Sequence, residues 1–175
     1  MTRLMPRQPV PALRVSTLNG DWDLAAQKPE RFTLVVFYRG LHCPICKTYV
    51  SELDKLVSEF ATRDTGIQVL SSDTRDRAEA ARDNWGLANL NLGYGLTIEA
   101  ARSWGLYVST SRGKTSAGIE EPALFSEPGL FIVRPDGTLY WGSTSTMPFA
   151  RPHFKEILGG LDFVIKVDYP ARGEA

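Results

Sequence analysis

An apolar run, Phe32–Tyr38, leads within a few residues into the sequence Cys43-Pro44-Ile45-Cys46. The run FTLVVFY is rich in β-branched and aromatic residues and is apolar on both alternating faces, which predicts a strand buried inside a sheet. From Ile45 to Phe60 the apolar residues recur at helical spacing, and Pro44 suits a first helical position, so a helix of about 43–63 is predicted. A buried strand that turns directly into a long helix favours an α/β protein.

The rest of the chain is predicted to alternate strands and helices. In chain order these are a hairpin within 12–24 around Asn19-Gly20, a strand at 67–71, a helix capped by Asp73 or Thr74 and carrying Ala78, Ala81 and Trp85, a short helix at 97–104, a hairpin of 129–134 with 138–141, and a helix near 151–166.

Two features complete the predicted organisation. Residues 108–122 are polar and aperiodic, which predicts an insertion loop that is mobile or folded over a site. The order of strands and helices predicts one domain over residues 1–175, with residues 1–30 as an arm and hairpin. Its centre is expected to be a mixed β-sheet with helices on both faces.

Charge and hydropathy exclude several classes of partner. Twenty Lys and Arg balance twenty Asp and Glu, which argues against binding to nucleic acid or to an anionic membrane surface. No apolar run approaches the length that spans a bilayer, and Met1–Pro11 has no apolar core typical of a secretory signal. We therefore expect a cytoplasmic protein whose thiols stay reduced.

The position of the two cysteines points to thiol chemistry. Cys43 lies where the central strand meets a helix N-terminus, whose unpaired N–H groups and dipole stabilise a thiolate. Comparable settings lower a cysteine pKa from ~8.5 to ~3.5–7.5. Cys46, one turn later, can donate its S–H to that thiolate or attack it once it is oxidised. Arg39, His42 and Lys47 add cations or donors nearby.

Other uses of the two cysteines fit the sequence less well. Buried packing explains neither the intervening proline nor the place at a strand-to-helix turn. A zinc site needs four ligands, whereas His42 is adjacent to Cys43 and His153 begins a distant helix, so a site shared between two chains is the remaining version. Two cysteines are too few for an iron–sulfur cluster in one chain, and the order HCPIC does not fit haem attachment. No metal and no other cofactor is expected.

The motif YRGLHCPICK after an apolar strand resembles the thioredoxin superfamily, and within it the peroxiredoxin-like AhpC/TSA (alkyl hydroperoxide reductase / thiol-specific antioxidant) branch. The Asn-Gly-Asp turn, IQVLSSDT and GLFIVRPDGTLYW extend the similarity over most of the chain. The resemblance implies a thioredoxin-like three-layer fold in which Cys43 attacks and Cys46 resolves, with Arg39, His42 and Pro44 in support. It also implies that Pro128 faces the dithiol after a cis Glu127–Pro128 bond.

The sequence departs from the family pattern in three places. A typical peroxiredoxin has Thr or Ser three residues before its peroxidatic cysteine, where this chain has Gly40. It has Arg immediately before the GLFI-type strand, where this chain has Pro128, and Arg39 or Arg151 is a candidate for the lost cation. Phe37 stands where thioredoxins keep a buried Asp.

These observations predict a thiol-dependent oxidoreductase. The Cys43 thiolate attacks a hydroperoxide, or alternatively a protein disulfide, and Cys46 closes an intramolecular disulfide. An external thiol donor, such as a thioredoxin or glutathione system, must then reduce that disulfide. The other class of function is a non-enzymatic redox-sensing or partner-binding module that uses the same disulfide as a switch through residues 108–122. A homodimer is compatible with the sequence.

Overall fold

A computed structural model describes residues 3–175. The strands are β1 (Arg14–Thr17), β2 (Gly20–Asp23), β3 (Phe32–Phe37), β4 (Thr65–Leu70), β5 (Leu92–Tyr94), β6 (Val108–Thr110), β7 (Leu124–Ser126), β8 (Gly129–Val133) and β9 (Leu139–Thr144). The α-helices are α1 (Pro44–Lys55), α2 (Val57–Ala61), α3 (Arg75–Trp85), α4 (Ile98–Ser103) and α5 (Phe154–Val167), with a short 3-10 helix at Leu24–Ala26.

Seven strands form one mixed sheet in the order β2-β1-β5-β4-β3-β8-β9. Strand β3 lies between β4, which is parallel to it, and β8, which is antiparallel. In register, Phe37 at the end of β3 faces Leu70 of β4 and Gly129 of β8. The chain therefore leaves β3 for the Cys43 motif at the edge where β4 also ends and β8 begins.

Apolar side chains fill both faces of the sheet. Leu34, Val36 and Tyr38 face a core built with α1, α2, α3 and α5, whereas Val35 and Phe37 face a second core built with α4 and the N-terminal arm. This alternation follows from the two-residue period of a strand. The predicted mixed sheet with helices on both faces is confirmed.

Most predicted helices and strands form, with differences where the signal was weak. The helix predicted at 43–63 divides at Leu56 into α1 and α2. Strand β5 was not predicted, because a three-residue strand carries almost no periodicity. Residues 108–122 are not wholly irregular, since β6 pairs with β7 in a separate two-stranded sheet. We call the connection between these two strands, residues 111–123, the flap.

The predicted cis bond before Pro128 is wrong, because the Glu127–Pro128 peptide bond is trans. The chain runs extended from β7 into β8. The Glu127 N–H donates to the Tyr107 carbonyl at 2.8 Å, and the Pro128 carbonyl accepts from the Ser145 N–H at 3.0 Å. Backbone hydrogen bonds therefore hold the chain on both sides of this peptide.

Over residues 3–175, the longest and most apolar helices still fall short of what crossing a membrane requires.

Candidate active site

The turn between β3 and α1 holds Cys43 at the N-terminal end of the helix. Cys43 is the N-cap of α1 with extended backbone, and Pro44 is the first helical residue. The Cys43 N–H donates to the Gly40 carbonyl at 3.1 Å, which closes the turn. Pro44 has a fixed φ and needs no hydrogen bond at that position, so it starts the helix directly after the cysteine.

The two sulfurs lie in one buried pocket and differ in acidity. Both cysteines are free thiols, 1% and 0% exposed. The Cys46 N–H donates to Cys43 Sγ at 3.2 Å. A hydrogen bond from the Cys46 thiol, with help from that N–H and from Arg39 and Arg151, lowers the pKa of Cys43 to about 7 against the opposing effect of burial. Burial, and then donation to Cys43, raises the pKa of Cys46 well above its ordinary value. Cys43 is therefore the more acidic of the two thiols, and Cys46 is the one that stays protonated.

Arg151 brings a buried positive charge to this pair. Its Nη1 donates to Cys46 Sγ across 3.8 Å and its Nη2 donates to the Ile45 carbonyl at 3.3 Å. The guanidinium stacks 3.7 Å above the Tyr49 ring, and the Tyr49 hydroxyl donates to the Pro152 carbonyl at 2.6 Å. Within residues 3–175, no carboxylate lies within ion-pair distance of Arg151, so its charge stays available to the sulfurs.

Arg39 also lies near Cys43, but its charge is shared with two carboxylates. It pairs with Glu121 and Glu127, each at 3.4 Å, and its guanidinium lies 4.8 Å from the centre of the Phe125 ring. Both carboxylate side chains are less than one-tenth exposed. Burial raises the pKa of Glu127, which accepts a hydrogen bond from Ser109 at 2.6 Å. Arg39 therefore anchors the flap and the residue that follows β7, as well as acting on Cys43.

His42 is a buried neutral imidazole. Burial first, and then the charges of Arg39 and Arg77, lower its pKa to about 4. The ring packs edge-on against Phe125 with centroids 4.6 Å apart, and Nδ1 lies 3.4 Å from Nη2 of Arg77. A guanidinium can only donate, so Nδ1 is the acceptor and the ring proton is on Nε2.

The flap covers the turn from the other side. The Thr115 hydroxyl donates to the His42 carbonyl at 2.7 Å, directly before Cys43. Glu121 at its far end pairs with Arg39. The polar segment that suggested a loop folded over a site does contact the turn that carries the cysteines.

The predicted residues do not all lie near the two sulfurs. Arg39, His42 and Pro44 surround the turn, and Arg151 touches Cys46, whereas Pro128 lies beside the end of β3 and is held by Ser145. Three participants were not predicted: Asp73, Arg77 and Thr115. The first of these had a usable signal, because Asp73 follows β4, and neighbouring parallel strands end at the same edge of a sheet.

No group of three or more His, Cys, Asp or Glu side chains in the described part of the chain is arranged to hold a metal ion.

The sequence pattern that defines the AhpC/TSA family matches residues 6–141. The chain belongs to the AhpC/TSA family. It is accordingly an oxidoreductase, and the predicted membership of the AhpC/TSA family is confirmed. No curated protein sequence matches the chain significantly.

Solved structures of peroxiredoxins share the fold of this AhpC/TSA protein. Peroxidoxin BcpB from Mycobacterium tuberculosis superposes with a TM-score of 0.71 at 16% identity, over 93% of this chain and 99% of that one. The mitochondrial 2-Cys peroxiredoxin from Plasmodium falciparum has a TM-score of 0.73 at 18% identity, over 94% and 96%. AhpC from Mycobacterium bovis has a TM-score of 0.73 at 19% identity, over 97% and 96%. The predicted thioredoxin-like α/β fold is confirmed.

Proposed function

We propose that this AhpC/TSA protein is a thiol peroxidase in which Cys43 reduces hydroperoxides and Cys46 resolves the product. The observation that carries the proposal is the acidity of the two thiols. A cysteine with a pKa of about 7 is about half thiolate at neutral pH, whereas an ordinary cysteine is only a few per cent thiolate. The thiolate is the nucleophile that a peroxide requires.

The proposed first step is attack of the Cys43 thiolate on the distal peroxide oxygen. An S–O bond forms, the O–O bond breaks, and the alkoxide or hydroxide that leaves takes up a proton from solvent. The products are Cys43 sulfenic acid and an alcohol or water. Arg151, which has no carboxylate partner in the described chain, would stabilise the negative charge on the sulfur and on the departing oxygen.

The proposed second step closes a disulfide. Cys46 already contacts Cys43 through its N–H at 3.2 Å, so its sulfur needs little movement to displace the sulfenic hydroxyl as water. Cys46 must lose its proton in this step, and Arg151 beside its sulfur favours that loss. Two electrons from an external thiol system, of the thioredoxin or glutathione type, then restore both thiols. The cycle uses no other cofactor and suits a reducing compartment such as the cytoplasm.

A second candidate is a reductase of protein disulfides. Gly40 and Pro128 stand where a typical peroxiredoxin has the hydroxyl and the arginine that handle peroxide, and this departure favours disulfide exchange. In that case Cys43 forms a mixed disulfide with the substrate, and Cys46 displaces the reduced substrate thiol. The final state, a Cys43–Cys46 disulfide, is the same.

Intact mass after one equivalent of hydrogen peroxide separates the outcomes. The wild type is expected to lose two hydrogens by forming the disulfide, Cys46→Ser to gain one oxygen, and Cys43→Ser to stay unchanged. Second-order peroxide consumption by the same three proteins supplies the rate. If the wild type reacts no faster than a free thiol of matched pKa, the peroxidase proposal is replaced by disulfide exchange.

A further inference from the structure

A buried ion pair lies beneath the reactive turn, and the proposed steps do not use it. The Asp73 side chain is 0% exposed and bonds in two directions. Its Oδ2 accepts the Leu41 N–H at 2.6 Å, inside the turn that carries Cys43, and its Oδ1 accepts Nε of Arg77 at 2.7 Å. A fully buried carboxylate is retained only when it is paired and hydrogen-bonded, as it is here.

Arg77 makes two further contacts besides its ion pair with Asp73. Its Nη2 reaches His42 Nδ1 at 3.4 Å, and its Nη1 donates to the Glu120 carbonyl of the flap at 3.2 Å. One guanidinium therefore joins helix α3, the residue directly before Cys43 and the flap. The planar fork of an arginine holds several acceptors in fixed geometry, which a lysine cannot reproduce.

Gly40 makes room for this arrangement. Its φ is +135°, and a Cβ built on it would lie 2.7 Å from Asp73 Oδ2. The carboxylate thus occupies the space that a side chain at position 40 would need. A residue with a hydroxyl side chain, as in a typical peroxiredoxin, cannot be placed there without displacing Asp73.

We infer that the Asp73–Arg77 pair is a positioning unit that holds the Cys43 turn and the flap in one arrangement. Asp73 fixes the turn through Leu41, and Arg77 fixes the flap through Glu120 and the turn through His42. The Thr115 hydroxyl of the flap adds another link to the turn, since it donates to the His42 carbonyl. Neither Asp73 nor Arg77 bonds to a sulfur, so both act through these neighbours. The consequence for peroxide reduction rests on the proposed function, whereas the structural role does not.

The test compares Arg77→Lys with Arg82→Lys in the full-length reduced protein. Arg82 lies on the same helix and pairs with the exposed Asp83, so it is a matched control. Amide hydrogen exchange is followed in residues 39–46 and in the flap. At a pH above the Cys43 pKa, each protein is also reacted with iodoacetamide, which needs only an accessible thiolate, and with hydrogen peroxide, which needs an ordered site.

The expected result is specific to Arg77→Lys. Exchange rises about tenfold or more in both segments, since the arginine that contacts both of them is lost. The ratio of the peroxide rate to the alkylation rate falls about tenfold or more, because peroxide reduction depends on the exact position of the thiolate and alkylation depends only on its accessibility. Arg82→Lys changes neither quantity. Loss of stability alone would leave the ratio unaltered.

Two results overturn the inference: exchange that rises in neither segment or in only one of them, or a ratio that stays within about twofold of wild type. Asp73→Asn, measured in the same way, supplies the second variant and is judged by the same limits if Arg77→Lys does not fold. If the wild type fails to reduce peroxide, the proposed function falls, and the exchange data still decide the positioning role.

Discussion

Cys43 and Cys46 carry the same side chain but differ in acidity. The Cys46 thiol and backbone N–H both donate to Cys43, which lowers the pKa of Cys43 to about 7. Burial acts against ionisation at both sites and prevails only at Cys46, where the neighbouring sulfur is an acceptor and not a donor. The acidity of Cys43 is therefore a property of the pair.

We predict that alkylation of Cys43 rises with pH through about 7 and levels off above it, because the reactive thiolate accumulates over that range. Removing the largest cause of the lowered pKa, in Cys46→Ala, is expected to move this profile to higher pH. Cys46→Ser keeps a donor and is expected to move it less. Rates of iodoacetamide modification, followed by mass spectrometry of the Cys43 peptide, give the profiles. A Cys46→Ala profile that coincides with wild type would show that the Cys46 thiol does not set the acidity.

Removing Arg39 and removing Arg151 are predicted to differ in their effect on the stability of the protein. Arg151→Met removes a cation without a carboxylate partner in the described chain, so alkylation of Cys43 should be slower at pH 6, with little loss of stability. Arg39→Met leaves Glu121 and Glu127 buried without their cation and should lower the free energy of unfolding by about 2–4 kcal/mol. It should also slow the alkylation of Cys43 at least as much as Arg151→Met does, since Arg39 lowers the pKa of Cys43 more than Arg151 does. Chemical denaturation and the alkylation profile measure the two effects. A loss of stability in Arg151→Met as large as that in Arg39→Met would contradict this account.

The turn between β3 and α1 explains why the family's hydroxyl residue is missing from this chain. Gly40 combines a positive φ with a carboxylate in the place of its Cβ, so both the backbone and the packing require glycine. Restoring the family residue is then expected to damage the turn and not to improve the peroxidase.

Gly40→Thr is predicted to destabilise the protein by about 1–3 kcal/mol more than Gly20→Thr. Gly20 is a control for backbone strain alone, since its φ is +116° and a Cβ there meets nothing within 4 Å. Free energies of unfolding from urea titration supply the comparison. Equal losses in the two variants would mean that Asp73 moves aside at no cost.

Helices and strands with strong periodicity could be predicted from the sequence. The apolar, β-branched run of β3 and the apolar spacing of α1 predict that the cysteines lie at a strand-to-helix turn. Strand β5 is too short for a periodic signal, and the polar composition around β6 hides its pairing with β7.

The motif identified the two thiols but not the groups that surround them. From the sequence, Asp73 is predicted only as a helix cap. Its bond to Leu41 depends on the parallel pairing of β3 with β4, which a local pattern does not show. Arg151 could be named as a candidate cation, but its contact with Cys46 depends on how the start of α5 packs against Tyr49. Long-range packing of this kind leaves no local pattern in a sequence.

Across the fold, the dithiol lies in one of two cores that share one sheet. Side chains of β3 alternate between these cores, and both sulfurs belong to the core formed with α1, α2, α3 and α5. Both sulfurs also lie within the first turn of one helix, where Cys43 Sγ already accepts the Cys46 N–H. Closing a disulfide there requires only local adjustment of that turn.

We therefore predict that oxidation changes amide exchange only in residues 39–55 and in the flap. The physical reason is that the sheet register and the packing of α5 do not depend on the separation of two sulfurs that are already neighbours. The measurement is hydrogen exchange of the reduced protein and of the protein oxidised with diamide, with Cys46→Ser treated in the same way as a control that cannot close the disulfide. Increased exchange in β8, β9 or α5 of the oxidised wild type alone would show that the disulfide rearranges the fold. In that case the oxidised chain would present an altered surface, as a redox-controlled binding module requires.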